Sequence, residues 1–301
     1  MNDANAGAAT VASPNGPVDP QQNVGTSSRT AKPIVSVIVP HYDDLENLRE
    51  CLKCLKAQTM APSHYEIIVS DNNSACGLEA VQGVCDGIAR LVSAAKQGAG
   101  EARNAGAAVA LGELLAFTDS DCRPARDWLK RGVEGLQSAD VVGGRMVVGV
   151  EDRSHLTPAE AYELVFAFNN KYYVEKHGYS VTANMFTRQD VFDKIGPFRV
   201  GVSEDLDWGR RATGLGFGIK YGADAVVTHP ARKQWRDLIR KWRRLTRESY
   251  ALAREQSFDQ ELRPTYGGFR REVQPRRQHW FLNEKSGFPF RTPAFCSVSR
   301  G

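Results

Sequence analysis

The run Ile34-Val35-Ser36-Val37-Ile38-Val39, closed by Pro40, constrains this chain more than any other segment. It is β-branched, too short for a helix and too apolar for an edge strand, so it reads as a central strand of a parallel sheet. After a loop over His41 to Asp44, Leu45, Leu48, Leu52 and Leu55 recur at helical spacing until Thr59-Met60-Ala61-Pro62 breaks the pattern. A second buried strand, Tyr65 to Ser70, follows. Strand, helix and strand of this length make a right-handed βαβ unit, and in such sheets ligands gather at the carboxyl ends of the strands.

Acidic side chains stand at those ends. Asp43 and Asp44 follow the first strand, Asp71 the second, and Asp119-Ser120-Asp121 the apolar run Leu114–Thr118, which is expected to join the same sheet. Side chains alternate along a strand, so aspartates one residue apart deliver two carboxylates together. Hard oxygen ligands of this kind suit magnesium or manganese carrying substrate phosphates. In isolation the same pattern is also a solvated turn.

The chain resembles the family 2 glycosyltransferases of the inverting, GT-A type from about Ile34 to about Tyr250. The resemblance is carried by Val37-Ile38-Val39-Pro40-His41-Tyr42-Asp43, Ser70-Asp71-Asn72-Asn73-Ser74, Ala102-Arg103-Asn104-Ala105-Gly106, Asp119-Ser120-Asp121, Thr182-Ala183-Asn184, Gly196-Pro197-Phe198 and Ser203-Glu204-Asp205, in that order. It implies an α/β chain with the GT-A type, Rossmann-like nucleotide-diphospho-sugar transferase fold, a mixed central sheet flanked by helices. It implies an enzyme that moves a sugar by single displacement from a nucleotide-sugar, a UDP-sugar, to a glycan or lipid-linked acceptor in surface polysaccharide assembly, with Mn2+ or Mg2+ as cofactor.

The resemblance also distributes roles. Asp121 is the first choice for a metal ligand, with Asp119 contacting the ribose or reaching the metal through water. His229, after the apolar run Ala225-Val226-Val227, either completes the metal site or is structural. Deprotonating the acceptor hydroxyl needs a carboxylate within hydrogen-bond reach, and Asp205 is that candidate, with Glu204 orienting it or the acceptor. Acids there also suit a helix N-terminus. Asp71 matches the acid that binds the base or ribose, and Pro40, Tyr42 and Asp43 pack beside the ring. Arg103 meets the diphosphate or is a surface helix charge; Arg211 and Trp208 brace the diphosphate or line the sugar, with core packing the other reading of Trp208. Asn184, Gly143 and Gly144 belong to the acceptor side, a strand bulge being the other account of the glycines.

Two rivals differ in sequence terms. A nucleotidyltransferase needs a glycine-rich basic loop after its first strand, and Pro40-His41-Tyr42-Asp43-Asp44 is unlike it. A catalytically silent scaffold or sugar-binding subunit would have lost its base or metal pair, whereas Asp119, Asp121 and Asp205 are all present.

Around the catalytic segment, expected over residues 33–230, lie three others. Residues 1–32, rich in Ala, Asn, Gly, Pro, Ser and Gln, are expected to be disordered, and they lack the basic start and apolar core of a signal peptide. Residues 231–256 form a basic amphipathic helix, and residues 257–301 an irregular tail. No run approaches the roughly 20 apolar residues that span a bilayer, so a cytoplasmic protein is expected, peripheral at most on the inner face of the membrane. The six cysteines read as reduced thiols, and Cys51-Leu52-Lys53-Cys54 falls on the leucine-patterned helix without a matching second pair. In the basic helix, eight cations over 232–247 interleave with Trp235, Leu238, Ile239, Trp242 and Leu245. It is either an interfacial segment on anionic lipid or an apolar stripe covering the catalytic domain. With a net charge of only +4, nucleic acid is not an expected partner.

Overall fold

The computed structural model describes residues 32–261. The expectations for residues 1–31 and for the tail beyond residue 261 lie outside the described residues. In chain order the elements are β1 (Val35–His41), α1 (Leu45–Lys56), β2 (Tyr65–Asp71), α2 (Leu78–Cys85), β3 (Arg90–Ser93), α3 (Ala99–Ala108), β4 (Leu114–Thr118), β5 (Arg123–Pro124), α4 (Trp128–Leu136), β6 (Val141–Gly149), α5 (Pro158–Phe166), α6 (Asn170–His177), β7 (Asn184–Arg188), α7 (Gln189–Ile195), α8 (Glu204–Gly214), β8 (Ile219–Pro230) and α9 (Trp235–Glu261).

The eight strands form one mixed sheet in the order β3-β2-β1-β4-β7-β6-β8-β5. β1 is central as expected, parallel to β2 and β4, and Leu114–Thr118 does join it. β1 runs through Pro40 to His41, one residue beyond the point where the proline was expected to stop it, with Pro40 opposite Ser70 and His41 opposite Asp71. The reversal at β7, antiparallel to both β4 and β6, makes the sheet mixed.

Alternation along the strands sorts the core into two layers. Val35, Val37, Val39, Ala116 and Phe186 face a cluster with Leu48, Leu52 and Leu55 of α1, Val81 of α2 and Leu129 of α4. Ile38, Leu115, Phe117 and Met185 face the other, with Ala107 of α3, Val191 and Ile195 of α7, and Trp208 and Ala212 of α8. Each fully buried leucine of α1 stabilises the fold by roughly 1.5–3 kcal/mol. Asp44 caps that helix by accepting from the Asn47 N–H at 3.1 Å, so its place after β1 is local capping chemistry.

α3 lies against β1 and β2 because Gly106 lets it. A Cβ on Gly106 would sit 2.6 Å from Ser70 Oγ and 2.7 Å from Ile38 Cγ2, both on central strands. Gly106→Ala is therefore expected to push α3 off the sheet and cost about 1–3 kcal/mol, read as a lower midpoint in urea unfolding; an unchanged midpoint would contradict this packing.

Candidate active site at the carboxyl edge of the sheet

The ends of β1 and β2 are laced together. His41 is buried and its Nδ1 stands 3.1 Å from Asp71 Oδ1. The Asp44 N–H donates to His41 Nε2 at 3.2 Å, so in the neutral ring Nδ1 carries the proton and donates to Asp71. Ser74 caps the same carboxylate through its hydroxyl at 2.5 Å and its N–H at 3.0 Å. Burial works to raise the Asp71 carboxyl, and the Ser74 and His41 hydrogen bonds outweigh it and hold the group below its ordinary value. Asp71 is thus 1% exposed and occupied by protein donors: it shapes the loop in place of presenting a free carboxylate to a base or ribose. Asp43 and Asn73, both in the left-handed region at φ 49° and 60°, complete the lacing; the Cys76 N–H donates to Asp43 Oδ1 and the Asp43 N–H to Ser74 Oγ. Tyr42 is left exposed between them.

Arg103 on α3 is the hub of the site. Its guanidinium donates through Nη2 to Asp119 Oδ1 at 2.5 Å and through Nη1 to Glu204 Oε1, and the residue is only 4% exposed. The surface-charge reading of Arg103 does not survive: the side chain is buried, both terminal nitrogens reach carboxylates, and Nε is left without a hydrogen-bond partner. The neighbouring Asn104 pairs with the Phe198 backbone in both directions, Nδ2–H to the carbonyl and N–H to Oδ1, each at 2.8 Å. α3 therefore clamps the loop after β4 and the approach to α8 together.

Asp205, next to Glu204 in the first turn of α8, is half-buried and accepts from the Thr182 N–H at 3.2 Å. Burial, then the charge of Glu204, lifts its carboxyl from 3.8 to about 7 against the pull of Arg103. Two acids one residue apart thus differ: Glu204 is paired with a guanidinium, while Asp205 is poised between its protonation states near neutrality.

Asp121 faces His229, with Oδ2 3.3 Å from Nε2. The other ring nitrogen, Nδ1, lies 2.8 Å from the Pro230 carbonyl, where it can only donate, so a neutral His229 turns its Nε2 lone pair toward the Asp121 carboxylate. Two acceptors so aimed call for a proton or a cation between them. Burial would raise Asp121, and the charge that His229 carries when protonated, with its hydrogen bond and Arg232, outweighs it and brings the carboxyl to about 2. Among the described residues no three His, Cys, Asp or Glu side chains converge on one ion. The donor set, a carboxylate and an imidazole side by side, would suit a divalent cation completed by phosphate oxygens. Arg123, which the sequence reading passed over, pins this loop: it donates to the Asp121 carbonyl at 3.0 Å and to Asn47 Oδ1 on α1 at 2.6 Å.

The residues expected on the acceptor side do other work. Asn184 is fully buried, accepts from Trp128 Nε1 at 2.9 Å and donates to the Ala225 and Arg145 carbonyls at 2.9 and 3.0 Å, tying β7 to β6 and β8. Gly144 leaves the space that Asn184 fills, and the register of β6 on β8 shifts just after it, so the bulge accounts for the glycine. Trp208 is 1% exposed and its indole N–H donates to the Gly196 carbonyl: it belongs to the core. Arg211 is spent on Asp207 Oδ2 at 2.9 Å and the carbonyls of Ile195 and Pro197. A cleft of about 400 Å³ opens beside the hub, lined by Tyr42, Asn72, Gly98, Val202, Glu204 and Arg244. A more open hollow of about 510 Å³ lies between α2 and β3, away from these carboxylates.

The chain has relatives among known proteins. Residues 36–201, more than half of the chain, match the glycosyl transferase family 2 model. The chain belongs to that family. Glycosyltransferase AglE of Haloferax volcanii is 35% identical over 208 residues, covering 66% of this chain and 68% of its own. The pre-mycofactocin glycosyltransferase of Mycobacterium tuberculosis is 29% identical and the match spans 68% of this chain but only 44% of that protein. Among solved structures, the mannosyltransferase PcManGT of Pyrobaculum calidifontis, in complex with GDP-Man and Mn2+, superposes with a TM-score of 0.56 at 23% identity, over 74% of this chain and 65% of its own. Staphylococcus aureus TarS 1–349 in complex with UDP-GlcNAc does so with 0.50 at 21% identity, over 66% and 59%. These neighbours share the GT-A fold with this family 2 chain.

Removing the hub tests its weight. Arg103→Met leaves Asp119 and Glu204 without their cation and is expected to destabilise the protein by about 3–5 kcal/mol in urea unfolding at neutral pH. A loss below about 1 kcal/mol would mean that the two carboxylates are held by other contacts.

Proposed function

We propose that this glycosyltransferase transfers a sugar with inversion from a UDP-sugar to a hydroxyl of a glycan or lipid-linked acceptor in surface polysaccharide assembly, with Asp205 as the base. The observation that carries the reading is the unequal pair at the start of α8, Glu204 bound to Arg103 and Asp205 raised to about 7. A base poised near the working pH is both ionised often enough and basic enough to take the acceptor proton as the hydroxyl attacks. A single displacement needs only that one carboxylate on the acceptor side, and Glu204, held by Arg103, is no rival for the role.

The donor's diphosphate fits at the Asp119-Ser120-Asp121 loop, where Asp121 and His229 would hold manganese or magnesium, with Asp119 presenting its second oxygen to the ribose or to a metal-bound water. Bound there, the metal supplies Lewis-acid stabilisation of the departing diphosphate. Tyr42, exposed at the end of β1, offers a ring face to the nucleobase, and Pro40 and Asp43 shape the wall beside it. Arg103 contributes by fixing Asp119 and Glu204, so the donor loop and the acceptor helix keep one spacing without reorganisation during transfer.

The test is the pH profile of transfer in the parent and in Asp205→Asn. The parent should lose activity about tenfold per pH unit below about 7 as the base protonates. Asp205→Asn should lose several orders of magnitude in kcat and retain donor affinity. Stability carries the opposite sign: because the folded state holds this proton more tightly than the unfolded chain, the parent should lose stability relative to Asp205→Asn as pH rises from 3.8 to about 7. Undiminished turnover in Asp205→Asn would move the base elsewhere.

A further inference from the structure

The transfer reaction leaves one face of α9 unused. A helix advances about 100° per residue, so Trp235, Ile239 and Trp242 form one stripe, and Arg236, Arg240, Arg243 and Arg247 form a second beside it. A third side turns inward: Leu238 and Leu252 are buried, and Lys241 Nζ lies over the Phe168 ring and donates to the buried Glu163 at 3.0 Å. Arg232 donates to the same carboxylate through its N–H at 2.7 Å and Nη1 at 2.8 Å. Two of the helix region's cations are thus consumed in the fold, and Glu163 is consumed with them.

The outward stripe is apolar. Trp235, Ile239 and Trp242 are 48, 47 and 46% exposed, and α5 adds Val165 and Phe166 at 68 and 47%. Tyr162 joins the two helices, its ring 4.8 Å from Phe166, 5.9 Å from Trp235 and 6.3 Å from Trp242. Side chains from segments some 70 residues apart make one continuous patch, the kind that marks an interaction surface. Between Trp235 and Arg247 the sole acid is Asp237, 3.6 Å from Arg240 and 4.0 Å from Arg236, so the neighbouring stripe stays strongly positive.

We propose that this two-helix face docks on an anionic bilayer, with the tryptophans, Ile239, Val165 and Phe166 entering the headgroup region and the arginine row lying over lipid phosphates. Tryptophan rings and flanking arginines are the side chains that settle at that depth. A second copy of the chain suits the face less well, because a two-fold contact would bring two arginine rows together at one rim. Among the described residues no helix is long and apolar enough to cross a membrane, so contact of this kind is interfacial. Arg244 and Glu248 line the cleft on the opposite side of α9, and the Glu248 carbonyl accepts from the Ser203 N–H at 3.3 Å. One helix therefore sets the cleft about 10 Å, a helix diameter, from the lipid-facing stripe.

Flotation of the full chain with phosphatidylcholine vesicles, with and without phosphatidylglycerol, tests this independently of sugar transfer. The parent should float with the anionic vesicles alone. The paired variants Trp235→Ser with Trp242→Ser, Val165→Ser with Phe166→Ser, and Arg236→Glu with Arg243→Glu should each lower the bound fraction at least about tenfold. The last two pairs change exposed side chains and should melt as the parent does, which separates lost docking from lost folding. No flotation of the parent, flotation retained in all three pairs, or a lipid-free dimer that the same pairs dissociate in light scattering would overturn the proposal.

Discussion

The interaction on which the site depends is the burial of Arg103 between Asp119 and Glu204. A guanidinium removed from water is costly unless its donors are met, and here carboxylates from two separate segments meet both terminal nitrogens while Nε is left without a partner. The exchange fixes three elements at once: α3, which reaches the sheet only because Gly106 has no side chain, the loop leaving β4, and the first turn of α8. Its chemical consequence falls on the residue next door. Glu204 takes the positive charge, and Asp205 is left half-buried beside a negative neighbour, the condition that lifts a carboxyl toward neutrality. The electrostatic organisation that holds these elements together also sets the two adjacent acids apart.

The opposite end of the site is organised by backbone chemistry. His229 is oriented by the Pro230 carbonyl, and Asp121 by the chain path that Arg123 ties to Asn47 on α1. Asp71 and His41 do the equivalent for the loops after β1 and β2. In each case a neighbouring group fixes the position of a polar side chain at the strand ends, so that side chain is ordered before any ligand arrives.

The sheet's centre was legible because its signal is local. An unbroken β-branched run and a leucine repeat have few alternative folds, and β1, α1 and β2 lie where that pattern puts them. Acids at strand ends were legible for the same reason, since topology gathers them. What the sequence left open was the assignment of partners. Nothing in Arg103, Asn184, Trp208 or Arg211 as letters tells whether a polar group faces ligand or closes a backbone gap; that depends on contacts up to 101 residues away, such as Arg103 with Glu204. The Gly143-Gly144 pair is the same lesson at the backbone: a β-bulge and room for the Asn184 amide explain Gly144, and close packing against Ser180 and Val174 explains Gly143. On α9 the periodicity gave an amphipathic helix with two readings, and the structure divides the helix between them, burying Leu238 and Leu252 while leaving Trp235 and Trp242 half-exposed.

The proposed function requires the convergent strand ends to form a metal-assisted nucleotide-diphosphate site. Its most direct test is thermal stabilisation of the purified chain by UDP, with GDP, dTDP and CDP as comparators, each with and without manganese. The melting temperature should rise with UDP, and the rise should require manganese and disappear in Asp121→Ala. Stabilisation by UDP that is equal without the metal, or no stabilisation by any of the four nucleotides, would contradict it.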